Sequence, residues 1–145
     1  MKLKSIKQRL ESILGGIAGD GNDIAQVLTY LKPLPENYPC AMVMNGESEP
    51  MPDEFTTSSD EWRYGFTIRV VVSPDDQVSA DTEGKISDII ELVVGELLNS
   101  DYVDTLGGYC TSFRIDRIVP FYESDPTPAR GVDFYCSAQT GENHT

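Results

Sequence analysis

The residues able to do chemistry in this chain are few in kind and poorly placed for it. The only histidine, His144, is next to last in a polar end. A serine or cysteine nucleophile needs a base within hydrogen-bond reach, and a histidine so placed is a poor one. The three cysteines, Cys40, Cys110 and Cys136, are far apart, odd in number and never in a C-x-x-C spacing, which points to neither a zinc site nor a disulfide framework. Each lies in an apolar or alternating run, where a free thiol behaves as a small buried hydrophobe. Three reduced core thiols and a cytosolic setting are therefore expected. The chain contains no G-x-S-x-G, no P-loop and no H-E-x-x-H. The stretch Gly15-Gly16-Ile17-Ala18-Gly19-Asp20-Gly21 has the look of a phosphate cradle, but a dinucleotide fingerprint follows a strand and opens a helix. These glycines follow a helical pattern instead and read as a helix exit.

Carboxylates are the one plentiful reactive group. Asp53-Glu54 and Asp75-Asp76 could pair for acid–base work or hold calcium, yet the D-x-[DN]-x-[DN]-G spacing of a calcium loop is missing. They read as solvated acidic loops; a cation held where such loops from several copies converge stays open. The expectation is a protein without catalytic residues, cofactor or metal. An enzyme or ligand-binding domain working with carboxylates alone is the alternative from a different class.

Charge narrows the partners. Against 24 Asp and Glu stand 11 Lys and Arg, a net −13, and a field of that sign repels phosphate, so a nucleic-acid grip is not expected. Four of the bases, Lys2, Lys4, Lys7 and Arg9, fall within nine residues. They form either a solvated helix face or a docking surface for an acidic neighbour. No apolar run reaches the roughly 20 residues of a membrane helix, and no apolar stretch of about 7–15 residues follows the basic start as in a signal peptide. A soluble chain with no membrane partner is expected.

The elements that must position these residues follow from periodicity. Leu3, Ile6, Leu10, Ile13, Leu14 and Ile17 recur at helical steps, the mark of an amphipathic helix, which the glycines at 15, 16, 19 and 21 weaken and end. An apolar stretch over 27–31 is closed by Pro33 and Pro35. Cys40 to Met44 reads as a first strand. Residues 45–61 carry six acids, among them Glu47, Glu49, Asp53 and Glu54, with two prolines and no base. That composition predicts a long acidic loop unable to build a core element, against about 2–5 residues for an ordinary hairpin connection. From Trp62 to Val72 the chain alternates, with Trp62, Tyr64, Phe66, Ile68 and Val70 on one side and Arg63, Gly65, Thr67 and Arg69 on the other. The period of two predicts a strand with one core face and two exposed arginines. The aromatic row reads as core in preference to a base-stacking platform.

A second helix is predicted over 82–99, striped by Ile86, Ile89, Ile90, Val93, Val94, Leu97 and Leu98, with Asp81 and Glu83 suited to the positive end of its dipole. A strand from Tyr109 to Phe121 and another from Gly131 to Gln139 follow, ending in a frayed tail over 140–145. The order predicts a single α+β domain: a four-stranded, largely antiparallel sheet with two helices packed on one face.

The opening amphipathic helix, the strand Tyr38-Pro39-Cys40-Ala41-Met42-Val43, the acidic loop, the strand Trp62–Val72, the helix Ile86–Leu98 and the late Arg130-Gly131-Val132-Asp133-Phe134 together resemble the tail terminator proteins of long-tailed bacteriophages. The resemblance spans about residues 2–140 and is one of architecture; no single motif in it is diagnostic. It implies a virion protein assembled in the host cytoplasm, forming a ring, usually a hexamer, that caps the tail tube and stops its growth. The implied partners are other copies of the chain, the tail tube protein and a head–tail connector or neck protein. DNA would pass through an acidic lumen without specific binding. Another neck component, such as a connector or tail-completion protein, is the nearest alternative. The candidate interface residues are Lys2, Lys4, Lys7, Arg9, Glu47, Glu49, Asp53, Glu54, Arg63 and Arg69.

Overall fold

A computed structural model describes residues 3–18, 24–32, 35, 37–50, 60–73, 80–98, 105–124 and 128–142. Helix α1 (Leu3–Ala18) is followed by strands β1 (Gln26–Leu28), β2 (Cys40–Pro50) and β3 (Asp60–Ser73), helix α2 (Ala80–Leu97), and strands β4 (Ser112–Glu123) and β5 (Ala129–Glu142). The strands form one sheet in the order β1-β2-β3-β5-β4. The expected α+β class and the largely antiparallel sheet hold, but the sheet has five strands and is mixed: β1 lies parallel to β2, with Val27 opposite Ala41. Three residues show no alternation to read, and their pairing is made by a chain return that periodicity cannot register. The return ends in a cis Tyr38–Pro39 peptide, and the Pro39 carbonyl accepts the Ala25 N–H at 2.7 Å.

Both helices lie on one face of the sheet, α1 over β1 and β2 and α2 over β3, β5 and β4. Ile6, Leu10, Ile13 and Leu14 of α1 and Ile86, Ile89, Val93 and Leu97 of α2 meet Ala41, Val43, Tyr64, Phe66, Ile68, Val70, Val132, Phe134, Cys136 and Ala138 in one core. Register enforces this: Tyr64, Phe66, Ile68 and Val70 stand opposite Ala138, Cys136, Phe134 and Val132, and directly paired residues share a face. Trp62 and Tyr64 stack at 6.2 Å with rings nearly parallel, on the helix-covered side. Leu98, expected in the stripe of α2, is 39% exposed just beyond the helix end.

Three further expectations are corrected. Both ends of the acidic segment 45–61 are strand: β2 continues to Pro50 and β3 begins at Asp60, with a shift in register between Asn45 and Ser48; residues 51–59 lie outside the described residues. The side chains of residues 45–50 are exposed, so the segment buries little, as its composition requires. Its backbone still pairs, because a ladder needs hydrogen bonds from the main chain and not apolar side chains. At the shift Gly65 is obligatory, since a Cβ there would stand 2.3 Å from the Glu47 carbonyl oxygen. The strand expected from Tyr109 begins at Ser112. Leu106, Gly107 and Gly108 all have positive φ, and the Thr105 carbonyl collects the N–H groups of Gly108, Tyr109 and Cys110, so Tyr109 belongs to a tight turn. Finally, Thr140 is no frayed residue; it is buried and paired with Trp62.

Candidate assembly surfaces

Among the described residues, the sheet face away from the helices carries several charge–charge contacts. Alternation along β3 puts Arg63, Gly65, Thr67 and Arg69 there, and register aligns them with Gln139, Ser137, Tyr135 and Asp133 of β5. Arg69 donates from Nε to Asp133 Oδ1 at 2.8 Å and from Nη2 to Asp133 Oδ2 at 3.0 Å. A third donation, from Nη1 to Glu123 Oε1, spans 3.3 Å, and the guanidinium stands 4.3 Å from the centre of the Phe121 ring. A guanidinium fork suits this two-pronged grip on a carboxylate. The hydrogen bond to Asp133 raises the Arg69 pKa above its ordinary value, against the opposing pull of desolvation.

Arg69 was expected to be exposed. Its side chain is 24% exposed and that of Asp133 only 7%, because Phe121 and the neighbouring strands wall the pair in. Beside it Cys40, Met42, Val71 and Ala129, with Leu28, Tyr38 and Phe121 against them, make a second, smaller apolar cluster. Lys32 helps to close it, its backbone N–H lying 3.5 Å from Met42 Sδ. Gly131 makes room for this packing, as a Cβ there would press on both the Val70 carbonyl and the Phe121 ring.

Toward the other end of the same face lies an open groove of about 710 Å³ bordered by Glu47, Glu49, Arg63, Thr67, Asp116 and Tyr135. Arg63 holds Glu49 at 3.3 Å across the strands, with both side chains substantially exposed. Asp116 is paired with Arg114 at 3.4 Å, and Arg117 covers the Tyr135 ring at 5.1 Å. Of the charges bordering the groove, three are acids and one a base, and Arg63 and Glu49 pair with each other.

On the helix side, the basic start of the chain divides. Arg9 donates from Nε to the Leu106 carbonyl at 2.9 Å and stands 5.3 Å over the Tyr109 ring, so it secures the positive-φ turn. Lys4 and Lys7 border a hollow of about 420 Å³ with Leu3 and Asn45. Buried Arg130 is held by Glu83 of α2 and donates to the Phe121 carbonyl at 3.1 Å. Lys2, Asp53, Glu54, Asp75, Asp76 and His144 lie outside the described residues.

All three cysteines are free and buried. Burial pushes the thiols of Cys40 and Cys110 up to about 11, and Cys136 higher still, for the same reason. Such thiols are poor nucleophiles at neutral pH. Among the described residues no group of three His, Cys, Asp or Glu side chains is placed to hold a metal ion, and no helix is long and apolar enough to cross a membrane.

Of the ten residues singled out from sequence, the structure joins Glu49 with Arg63, engages Arg9 and Arg69 with partners in their own chain, and leaves Lys4 and Glu47 exposed and Lys7 half-buried. Sequence reading missed Asp133, Glu123 and the Arg130–Glu83 pair. The one available signal was Asp133 itself, an acid between Val132 and Phe134 at a position facing away from the core. The chain matches no protein-family model and no curated protein.

Proposed function

We propose that this chain is a non-enzymatic virion subunit, a tail terminator of a long-tailed bacteriophage that closes into a ring on the end of the tail tube. The ring would end tube growth and present the surface to which the neck of the head joins. The observation that carries this reading is how the charged side chains are used. On the open sheet face they bind each other in cross-strand pairs, Arg69 with Asp133 and Arg63 with Glu49, which stiffen a scaffold. A rigid sheet with helices on one face is suited to being held by neighbours. Two helices on one face of a largely antiparallel sheet support this reading, and the net −13 of each copy suits a lumen through which DNA passes without sticking.

The test is sedimentation of the purified chain across a salt series, with and without isolated tail tubes. Repulsion between copies of charge −13 is long-ranged at low salt and screened beyond about 8 Å at physiological ionic strength, so ring formation improves as salt rises from low values. Tubes capped by the chain no longer elongate when tube subunits are added. A strict monomer under every condition, with no binding to tube ends, overturns the proposal. Binding to isolated heads and not to tubes would transfer the chain to the connector side of the neck.

A further inference from the structure

The two helices share one layer but lie over different halves of the sheet and carry opposite charge. Helix α1, over β1 and β2, has Lys4, Lys7 and Arg9 against Glu11, a net +2. Helix α2, over β3, β5 and β4, has Asp81, Glu83, Asp88, Glu91 and Glu96 against Lys85, a net −4. Arg9 and Glu83 are engaged within the chain, on Leu106 and Arg130. Among the described residues Lys4 and Lys7 on one helix, and Asp88 and Glu91 on the other, have no ion pair in their own chain. The two lysines stand at the 420 Å³ hollow beside Leu3, so the basic side has both charge and a recess.

A second, independent observation concerns glycine. Gly84 and Gly95 fall on the outward line of α2 that includes Asp81, Asp88 and Glu91, opposite the buried Ile86, Ile89, Val93 and Leu97. Gly15 and Gly16 are likewise exposed on α1. Nothing stands within 4 Å of where a Cβ would be at any of the four. Glycine inside a helix is destabilising relative to alanine, and among the described residues no contact requires it at these positions. What a missing side chain permits is close approach by another backbone.

We propose that the exposed face of α1 of one copy, with Lys4 and Lys7, docks against the outward line of α2 of the next, with Asp88 and Glu91 between Gly84 and Gly95. The inference rests on the ring reading and specifies its contact. The two patches differ, so the contact is heterologous and repeats from copy to copy until rotation closes it. The complementary charges select the pairing of α1 with α2 over either helix with its own kind.

The test uses two charge-reversed chains, Lys4→Glu/Lys7→Glu and Asp88→Lys/Glu91→Lys, each sedimented alone and as an equimolar mixture at physiological ionic strength. Each alone needs about tenfold or more higher concentration to assemble, the expectation for turning two exposed attractions into repulsions. The mixture regains assembly in rings where the two variants alternate, as native mass spectrometry would show. A third variant, Gly84→Gln/Gly95→Gln, raises the Tm of the monomer through better helix propensity while weakening assembly, a pairing of effects that general misfolding cannot produce. If the native chain forms rings and the reversed chains do so equally well, or their mixture fails to regain assembly, the docking surface is wrong and the ring reading stands. A discrete two-copy species also overturns the repeating contact. A native chain that stays monomeric with no affinity for tube ends overturns both.

Discussion

Strand β3 carries one backbone past two unlike surroundings. Its even-numbered residues from Tyr64 to Val72 are buried beneath the helices, where the holding force is removal of apolar surface from water, at about 25 cal/mol per Å². Its odd-numbered residues from Arg63 to Arg69 face a side without helices, where cross-strand ion pairs and an arginine–phenylalanine contact take over. The helix-covered face is insensitive to salt and intolerant of lost volume. The opposite face is graded along its length: at one end Arg69 and Asp133 are walled in by Phe121, and at the other Arg63 and Glu49 stand in solvent. An ion pair matters to stability in proportion to how far water is kept from it, because desolvation makes the loss of one partner costly.

The largest break in this comparison comes from the helix side. Phe134 is fully buried at the centre of the sheet, and Phe134→Ala costs about 3–5 kcal/mol from lost transfer energy and the cavity left behind. Denaturant unfolding shows it as a lowered midpoint with little change in slope.

Next is the walled-in pair. Arg69→Met leaves Asp133, 5% exposed, charged without its partner and costs about 2 kcal/mol, less than a fully buried pair because Arg69 retains some solvent. The double change Arg69→Met/Asp133→Leu costs less than Arg69→Met alone. A double change that costs the sum of the singles would show that the pair is not coupled.

Both sides share buried thiols, Cys40 beneath Tyr38 on one and Cys110 with the helix-side core on the other. Each is raised from 9.0 to about 11 by burial. Above pH 9 the unfolded chain loses these protons while the folded chain keeps them, so the unfolded state binds fewer protons and stability falls as pH rises. Their contribution is fully present below pH 9 and is lost between about 9 and 11. A fall in unfolding midpoint over that window, reduced in Cys40→Ser/Cys110→Ser relative to its own value at pH 8 or so, checks it.

The smallest effect sharpens the gradient. Glu49→Gln removes the exposed partner of Arg63 and costs no more than about 0.5 kcal/mol, vanishing at high salt. A loss as large as that from Arg69→Met would mean that water is excluded from this end of the face as well.

How much of this was legible in the chain differs by kind of information. The alternation of residues 62–72 and the helical steps of Leu3 to Leu14 and Ile86 to Leu97 place the apolar faces, because side-chain direction along a helix or strand is local geometry. The absence of nucleophile and phosphate-loop motifs was equally readable. The acidic run over 45–50 was legible as exposed and misread as loop, because exposure is a property of side chains and strand pairing one of the backbone.

Sequence by itself, then, determined the two helices, the central strands, the buried thiols and the uneven charge between the first helix and the second. Tertiary structure alone decided the rest. The pairing of Arg69 with Asp133 joins residues 64 positions apart, and only the register of β3 on β5 brings them together. The parallel strand Gln26–Leu28 exists only because the chain returns beside it. Arg9 became a clamp on Leu106, 97 residues away, and so left Lys4 and Lys7 as the free cations of that helix. Contacts of this separation depend on how whole elements pack, a property that no local pattern of residues encodes.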